Sequence, residues 1–436
     1  MLKTGFISIF LASQAAFASD FNAAVEKDYA YLDALYQHLH SNPEISFQEE
    51  KTAARIAHEL RSIGFDVTEK VGGHGVVAIL KNGDGPTVLV RTDLDGLPVR
   101  EQTGLAFASK ATTVDDSGKT VPTMHACGHD VHMTSFVGTA RRLTAMQDRW
   151  QGTLVMIGQP AEEKVGGAKA MLADGLFTRF PRPDYNIALH VSASMAAGDI
   201  GMASGYALAN VDSVDIEVKG VGGHGAYPHT TKDPVVLASQ IVVALQTLVS
   251  REISPLEPAV VTVGSFHAGT KHNIISDGAH LQLTVRSYSG EVRKNLLEGI
   301  KRIAHAQAAS MGVPEEKWPV VSYSESTPAT YNDPGLTTRI QTALTARFGG
   351  EHVHMLKPVM GAEDFAYYGR VEPKIPSLMF WLGAAKADDV AAAKRGDIKL
   401  PSLHSPFFAP DREDTLKQGV IAMTSAVLEL MANKGD

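Results

Sequence analysis

The chain has 436 residues, 44% hydrophobic and 20% charged, with 40 basic and 48 acidic side chains and a formal charge of −8. That is an ordinary globular balance with length for two domains, and the lack of Lys/Arg runs excludes a nucleic-acid footprint. A single cysteine, Cys127, excludes an internal disulfide.

Residues 1–18, "MLKTGFISIFLASQAAFA", combine Lys3, a short apolar run and Ala16-Phe17-Ala18. This pattern predicts a secretory signal cut before Ser19, and hence a periplasmic or secreted protein. The run is shorter than the ~20 residues of a spanning helix, and no later stretch reads as a membrane anchor. A lone thiol in an oxidising compartment is a liability unless it is buried or ligated.

Apolar positions at Val25, Tyr29, Leu32, Leu35 and Leu39 predict a helix over 23–40, and a second helix ends near Gly64. The runs "GVVAIL", "PTVLVRTDLDGLP", "GTLVMIGQPAEE" and "DYNIALHVS" predict strands. Between them, "GHDVHMTSFVGTARRLTAMQDRW" and "GGAKAMLADGLF" are helical in pattern. Alternating strands and helices predict a parallel sheet with helices on its faces. From residue 208 the pattern becomes β-α-β-β-α-β, the order of a ferredoxin-like unit, through "VDSVDIEVKG", "DPVVLASQIVVALQTLVSR", "AVVTVGSFHAG", "AHLQLTVRSYS", "EVRKNLLEGIKRIAHAQAASMG" and "PVVSYSES". The α/β pattern then resumes. The predicted division is a catalytic domain in two parts, 19–207 and 326–436, with an inserted domain at 208–325.

Ligands of open α/β sheets bind beyond the carboxyl ends of strands. There the chain places Arg91, Asp93 and Asp95, then Glu162 and Glu163, then His190. The "HACGHDVH" turn with Cys127 and His129 opens a helix between two of these strands. Thiolate, imidazole and carboxylate together suit zinc and similar transition metals. Cys127, His129, Glu163 and His190 exceed the three protein ligands of one catalytic zinc, and a thiolate can bridge, so two ions fit better. Two such ions can polarise a carbonyl and generate a hydroxide from a shared water. One carboxylate of the Glu162-Glu163 pair is then free to handle protons. His125 and His132 flank the site as candidates for orienting ligands, whereas His38, His40, His58 and His74 read as surface or local packing residues. Two rival readings remain open on these residues. Cys127 could be a nucleophile with a histidine base, or the chain could bind metal or peptide without turnover, a role that has no need of Glu162.

The motifs "RTDLDGLP", "HACGHDVH", "QPAEE", "GGHGAYPH" and "GAEDFAYY" resemble those of the M20 metallopeptidases, over about residues 28–433 and in family order. The nearest branch is that of the amidohydrolases, with hippurate hydrolases, auxin-conjugate hydrolases and N-acyl amino acid amidohydrolases. The resemblance implies a two-metal catalytic domain, an inserted lid that joins two subunits, and hydrolysis of the amide of N-acyl amino acids or small peptides. A carboxypeptidase or dipeptidase of the same fold is the alternative. It implies Cys127, His129, Glu163, His190 and His404 as ligands of two divalent ions, zinc first, with manganese, cobalt or nickel also fitting. It also implies Glu162 as general base, Asp95 as support behind the metals, His224 at the oxyanion of the partner subunit's site, and Asn273 and Arg286 at the substrate. Gly96, Gly225 and Ala362 stand where the family more often has Ala, Ala and Ser, small changes that bear on substrate preference.

Overall fold

The computed structural model describes residues 4–432. The expected signal, residues 1–18, lies partly outside the described residues. In chain order the elements begin with α1 (Thr4–Ser41), α2 (Glu50–Ser62), β1 (Asp66–Val71), β2 (Gly75–Asn82) and β3 (Thr87–Asp93). Then come α3 (His129–Ala145), β4 (Gly152–Gln159), β5 (Tyr185–Ala196) and β6 (Ile200–Met202). The inserted segment holds β7 (Asn210–Lys219), α4 (Pro234–Thr247), β8 (Ala259–Ala268), β9 (Gly278–Ser287), α5 (Gly290–Ser310) and β10 (Val320–Thr327). The chain closes with α6 (Pro334–Phe348), β11 (Val353–Met355), β12 (Ser377–Ala385), α7 (Ala387–Arg395) and α8 (Arg412–Met431). The helix expected over 23–40 therefore starts earlier, since no glycine or proline interrupts residues 6–42.

The chain divides into two units. One comprises the residues up to Gly205, then Tyr331–Lys357 and the chain from Tyr367; the other is Tyr206–Thr330 with Pro358–Ala366. The first unit is built on an eight-stranded sheet in the order β1-β2-β4-β3-β5-β12-β6-β11. The expected parallel sheet is a mixed one. Its centre, β4-β3-β5-β12, is parallel, but β1, β2 and β6 run antiparallel to neighbours. The reason is local: β1 and β2 are joined by three residues, Gly72, Gly73 and His74, and so short a link can only make a hairpin. The central strands are buried on both faces, which is why Val88–Val90 and Leu378–Leu382 read as unbroken apolar runs. Helix α3 presses close to α8: a Cβ on Gly138 would lie 2.3 Å from Val420 Cγ2.

The second unit is a four-stranded antiparallel sheet, β8-β9-β7-β10, backed by α4 and α5. Strict alternation sends Val214, Ile216, Val218, Leu281, Leu283 and Val285 to one face, where Leu237, Ile241, Leu245, Leu296 and Ile300 cover them. Both helices start on a capping side chain: Asp233 accepts from the Val235 amide at 2.8 Å ahead of Pro234, and Ser289 accepts from the Val292 amide at 3.1 Å. The reading that no later stretch resembles a membrane span needs correction. Pro234–Glu252 is long and apolar enough by composition. Its inner side is the lid core, while Val235, Val236 and Val243 are exposed on its outer side.

Candidate metal centre

Four segments carry the site to the carboxyl edge of the central strands. Gly128 makes the first turn possible. Its φ is +79°, and a Cβ there would sit 2.5 Å from Val191 Cγ2, so only glycine lets Cys127 and His129 approach β5. Ligand atoms of Cys127, His129 and His190 lie within 4.8 Å of one another, and so do those of Cys127, Glu163 and His404. Cys127 is common to both triads. Its Sγ is 3.6 Å from His190 Nε2. His129 Nε2 and His404 Nε2 lie 3.9 and 3.5 Å from Glu163 Oε1.

The histidine tautomers follow from their other nitrogens. His129 Nδ1 donates to the Asp95 carbonyl at 2.7 Å and His190 Nδ1 to the Val191 carbonyl at 2.8 Å. Each leaves its Nε2 lone pair facing the cluster, the usual arrangement behind a metal-ligating imidazole. His132 is different. Its Nδ1 donates to Asp93 at 2.8 Å and its Nε2 accepts from the Val191 amide at 2.9 Å, so it has no lone pair left for an ion. His132 orients; it does not ligate.

The donor set fits divalent metal. His129 Nε2 and Glu163 Oε1 are buried without a hydrogen-bond partner, an arrangement that is costly unless a cation takes up the lone pairs. Burial, then the charges of Glu163, Glu162 and Asp93, push the Cys127 thiol well up. Without a cation it stays a neutral thiol, a poor nucleophile, and this weighs against the cysteine-hydrolase reading. Burial holds His190 down at about 4, hence neutral and able to ligate. Burial also opposes charge on His129, but Asp93 and Asp95 outweigh it and raise that imidazole to about 10. In the metal-free protein Nε2 therefore holds a proton, and a bound cation would replace it and relieve the same negative charge.

Asp95 is fully buried and organises the carboxylate pair. Its Oδ1 and Oδ2 accept the Glu162 and Glu163 amides at 3.1 and 3.0 Å, and Ser46 Oγ donates to Oδ2 at 2.6 Å. Ala161, just before the pair, has φ +49°, and His404 has φ +64°. Left-handed backbone at non-glycine residues is a strain that clusters at functional sites. Glu162 is buried beside Glu163 and His129.

The lid residues are placed separately. His224 pairs with Ile274 in a short two-stranded ladder, the Gly225 amide donates to the Asn273 carbonyl at 2.9 Å, and His224 and Asn273 are both exposed. Arg286 lies in β9 and donates to the Met360 carbonyl at 2.8 Å. The structure thus gathers Cys127, His129, Glu162, Glu163, His190, His404 and Asp95 within one unit, and His224 beside Asn273 in the other.

The sequence profile of peptidase family M20/M25/M40 matches residues 89–405. The chain belongs to this family. Among its relatives, the hippurate hydrolase of Campylobacter jejuni is 37% identical over 76% of this chain and 82% of its own length. The thermostable carboxypeptidase 2 of Saccharolobus solfataricus is 36% identical over 88% of this chain and 91% of its own. The solved Bacillus subtilis YXEP protein, a dinuclear metal binding peptidase from the M20 family, superposes with a TM-score of 0.73 at 30% identity, covering 93% of this chain and all of that one. This M20 protein is accordingly a metal-dependent hydrolase with a peptidase-like catalytic domain and a lid.

Two features of the M20 site have no assignment from sequence. Asp93 is fully buried, bonded to His132 and to Arg91 Nη1 at 2.7 Å, with Oδ2 3.7 Å from His129 Nε2. The alternation Arg91, Asp93, Asp95 along a strand exit is the available signal. His40, which reads as a surface or packing residue, is instead buried between two carboxylates, Asp130 at 2.7 Å and Glu101 at 3.0 Å. Nothing local in "HLHSNP" reveals partners so far along the chain.

Proposed function

We propose that this M20 hydrolase cleaves the amide of N-acyl amino acids, using two divalent ions held by Cys127, His129, Glu163, His190 and His404. The observation that carries the reading is the pair of donor triads sharing Cys127, with Glu162 beside them. The hippurate hydrolase of Campylobacter jejuni, as a relative, and the dinuclear Bacillus subtilis peptidase, as a structural neighbour, support it.

Bound divalent metal supplies Lewis-acid polarisation of the carbonyl and acidifies water. Glu162 takes the proton of the attacking water and passes it to the leaving amine, the work of a positioned general base and acid. Asp95 keeps the backbone of both glutamates in place for this. His224 donates to the developing oxyanion, and Asn273 and Arg286 bind the substrate, Arg286 by pairing with its carboxylate. The reading includes a homodimer joined through the lid, in which His224 serves the partner subunit's site. The exposed Val235, Val236 and Val243 of α4 suit such an interface. It also includes export, from the signal pattern of residues 1–18.

The test is to strip the protein with a chelator and reload it separately with zinc, manganese, cobalt and nickel. Each form is screened against N-acyl amino acids and dipeptides. Metal-restored release of a free amino acid from acyl substrates is expected. Turnover of peptides alone would favour the carboxypeptidase or dipeptidase alternative, which the Saccharolobus relative represents. Activity that resists chelation but dies with thiol alkylation would overturn both.

A further inference from the structure

Glu49 stands at the start of α2 and is fully buried. Its Oε1 accepts two backbone amides, Phe47 at 2.9 Å and Ala161 at 2.7 Å, and its Oε2 is buried with no hydrogen-bond partner. Ala161 is the left-handed residue that precedes the glutamate pair. Its carbonyl accepts from the Gly166 and Gly167 amides, both at 3.2 Å. The next two amides, Glu162 and Glu163, go to Asp95. Three consecutive N–H groups therefore end on two buried carboxyls, one from the start of α2 and one from the exit of β3.

We propose that Glu49 is a positioning residue whose Oε1, by holding the Ala161 amide, fixes the left-handed turn that sets Glu162 and Glu163 in the metal centre, acting as an acceptor and not as a charge. The inference rests on the roles proposed above for Glu162 and Glu163. Two amides on one oxygen need only a carbonyl-like acceptor. Burial, with the Asp95 charge beside it, pushes the Glu49 carboxyl up, towards the neutral form. Oε1 alone makes both contacts and Oε2 makes none, so what the turn takes from Glu49 is an acceptor at the right reach.

Acceptor and charge separate cleanly in two variants. Glu49→Gln keeps an oxygen at the same reach without a charge, and Glu49→Asp keeps a carboxyl but withdraws it by one methylene. In the metal-loaded enzyme Glu49→Gln should keep kcat within about threefold of wild type, while Glu49→Asp should lose ~10–100-fold in kcat with little change in KM. The second readout needs no substrate. In the cobalt-loaded protein the visible d–d and thiolate charge-transfer bands should overlay for wild type and Glu49→Gln and shift for Glu49→Asp, because Glu163 is displaced. Glu49→Ala should behave like Glu49→Asp; if it does not fold, the other two still decide. An active Glu49→Asp with a crippled Glu49→Gln would overturn the proposal in favour of a required charge. Wild-type rates and spectra in both variants would overturn it altogether. If wild type cleaves none of the substrates above, the functional reading fails, and the cobalt spectra still read the Glu49 effect by themselves.

Discussion

The metal centre and the lid loop hold their polar residues in opposite ways. In the catalytic unit Cys127, His129 and Glu162 are buried, and His129 and His190 are each pinned through a second nitrogen. In the lid, His224 and Asn273 are exposed, and His224 Nδ1 merely accepts the amide of Ala226 at 3.0 Å. The first region is organised before any substrate arrives, as electrostatic catalysis requires. The second has surroundings that explain its shape but not its chemistry. Buried donors imply a metal by their own geometry, whereas an exposed histidine gains a role only from what it meets.

Breaking the organised region should cost most. Cys127→Ala removes the group common to both donor triads, so bound metal, by elemental analysis, and activity should fall together to the level of the chelated protein. A variant without Cys127 that keeps its full metal content would refute the bridging role. Next comes the glutamate pair. Glu162→Gln should retain metal and lose ~10²–10⁴-fold in turnover, the usual worth of a positioned acid–base group. Glu163→Gln should lose metal instead, and an exchange of the two phenotypes would reverse the assignment.

The lid effect should be smaller and should leave the metals alone. His224→Ala is expected to cost about 2.7–4 kcal/mol of transition-state stabilisation, the value of one oxyanion donor. Mixing it with Glu162→Gln under subunit exchange sharpens the comparison. If each site is completed by the partner, random mixing should restore roughly a quarter of wild-type activity, since half the dimers then carry one intact site. No recovery after proven exchange would place the action of His224 within its own chain, or nowhere.

The smallest effect on activity, and a measurable one on stability, belongs to His40. Burial lowers its pKa, but the Asp130 and Glu101 hydrogen bonds outweigh this and raise it from 6.5 to about 9. A raised histidine stabilises the fold fully below its unfolded value and loses that contribution as pH climbs through the folded one. The contribution is on the order of 3 kcal/mol at pH 6 and is lost between about pH 6.5 and 9. Urea unfolding of wild type and His40→Gln should show a wide stability gap at pH 6 that narrows towards pH 9.5. A gap independent of pH would mean that His40 acts by packing.

The sequence by itself determined a good deal. Apolar period and turn residues place most long elements, because both act over a few neighbours. The ferredoxin-like order of the lid follows from six such elements. The donor types were legible too, since thiol, imidazole and paired carboxylates after successive strands suit few chemistries. Short or polar strands such as β1, β6 and β11 were not legible, because three to six residues with little apolar alternation carry no period. The mixed direction of the sheet was also decided in space, by a tight hairpin at one edge and a reversed strand near the other.

Only the tertiary structure decided which neighbours of the metal centre matter. His132 and His129 look alike in "GHDVH", and the Val191 amide alone makes one of them unfit to ligate. Glu49 finds Ala161 at a separation of 112 residues, and His40 finds Asp130 at 90. A hydrogen bond acts over about 3 Å of space and takes no account of distance along the chain. The identity of a donor is therefore written in the sequence, while its partner, and with it its protonation and its aim, exists only once the chain has folded.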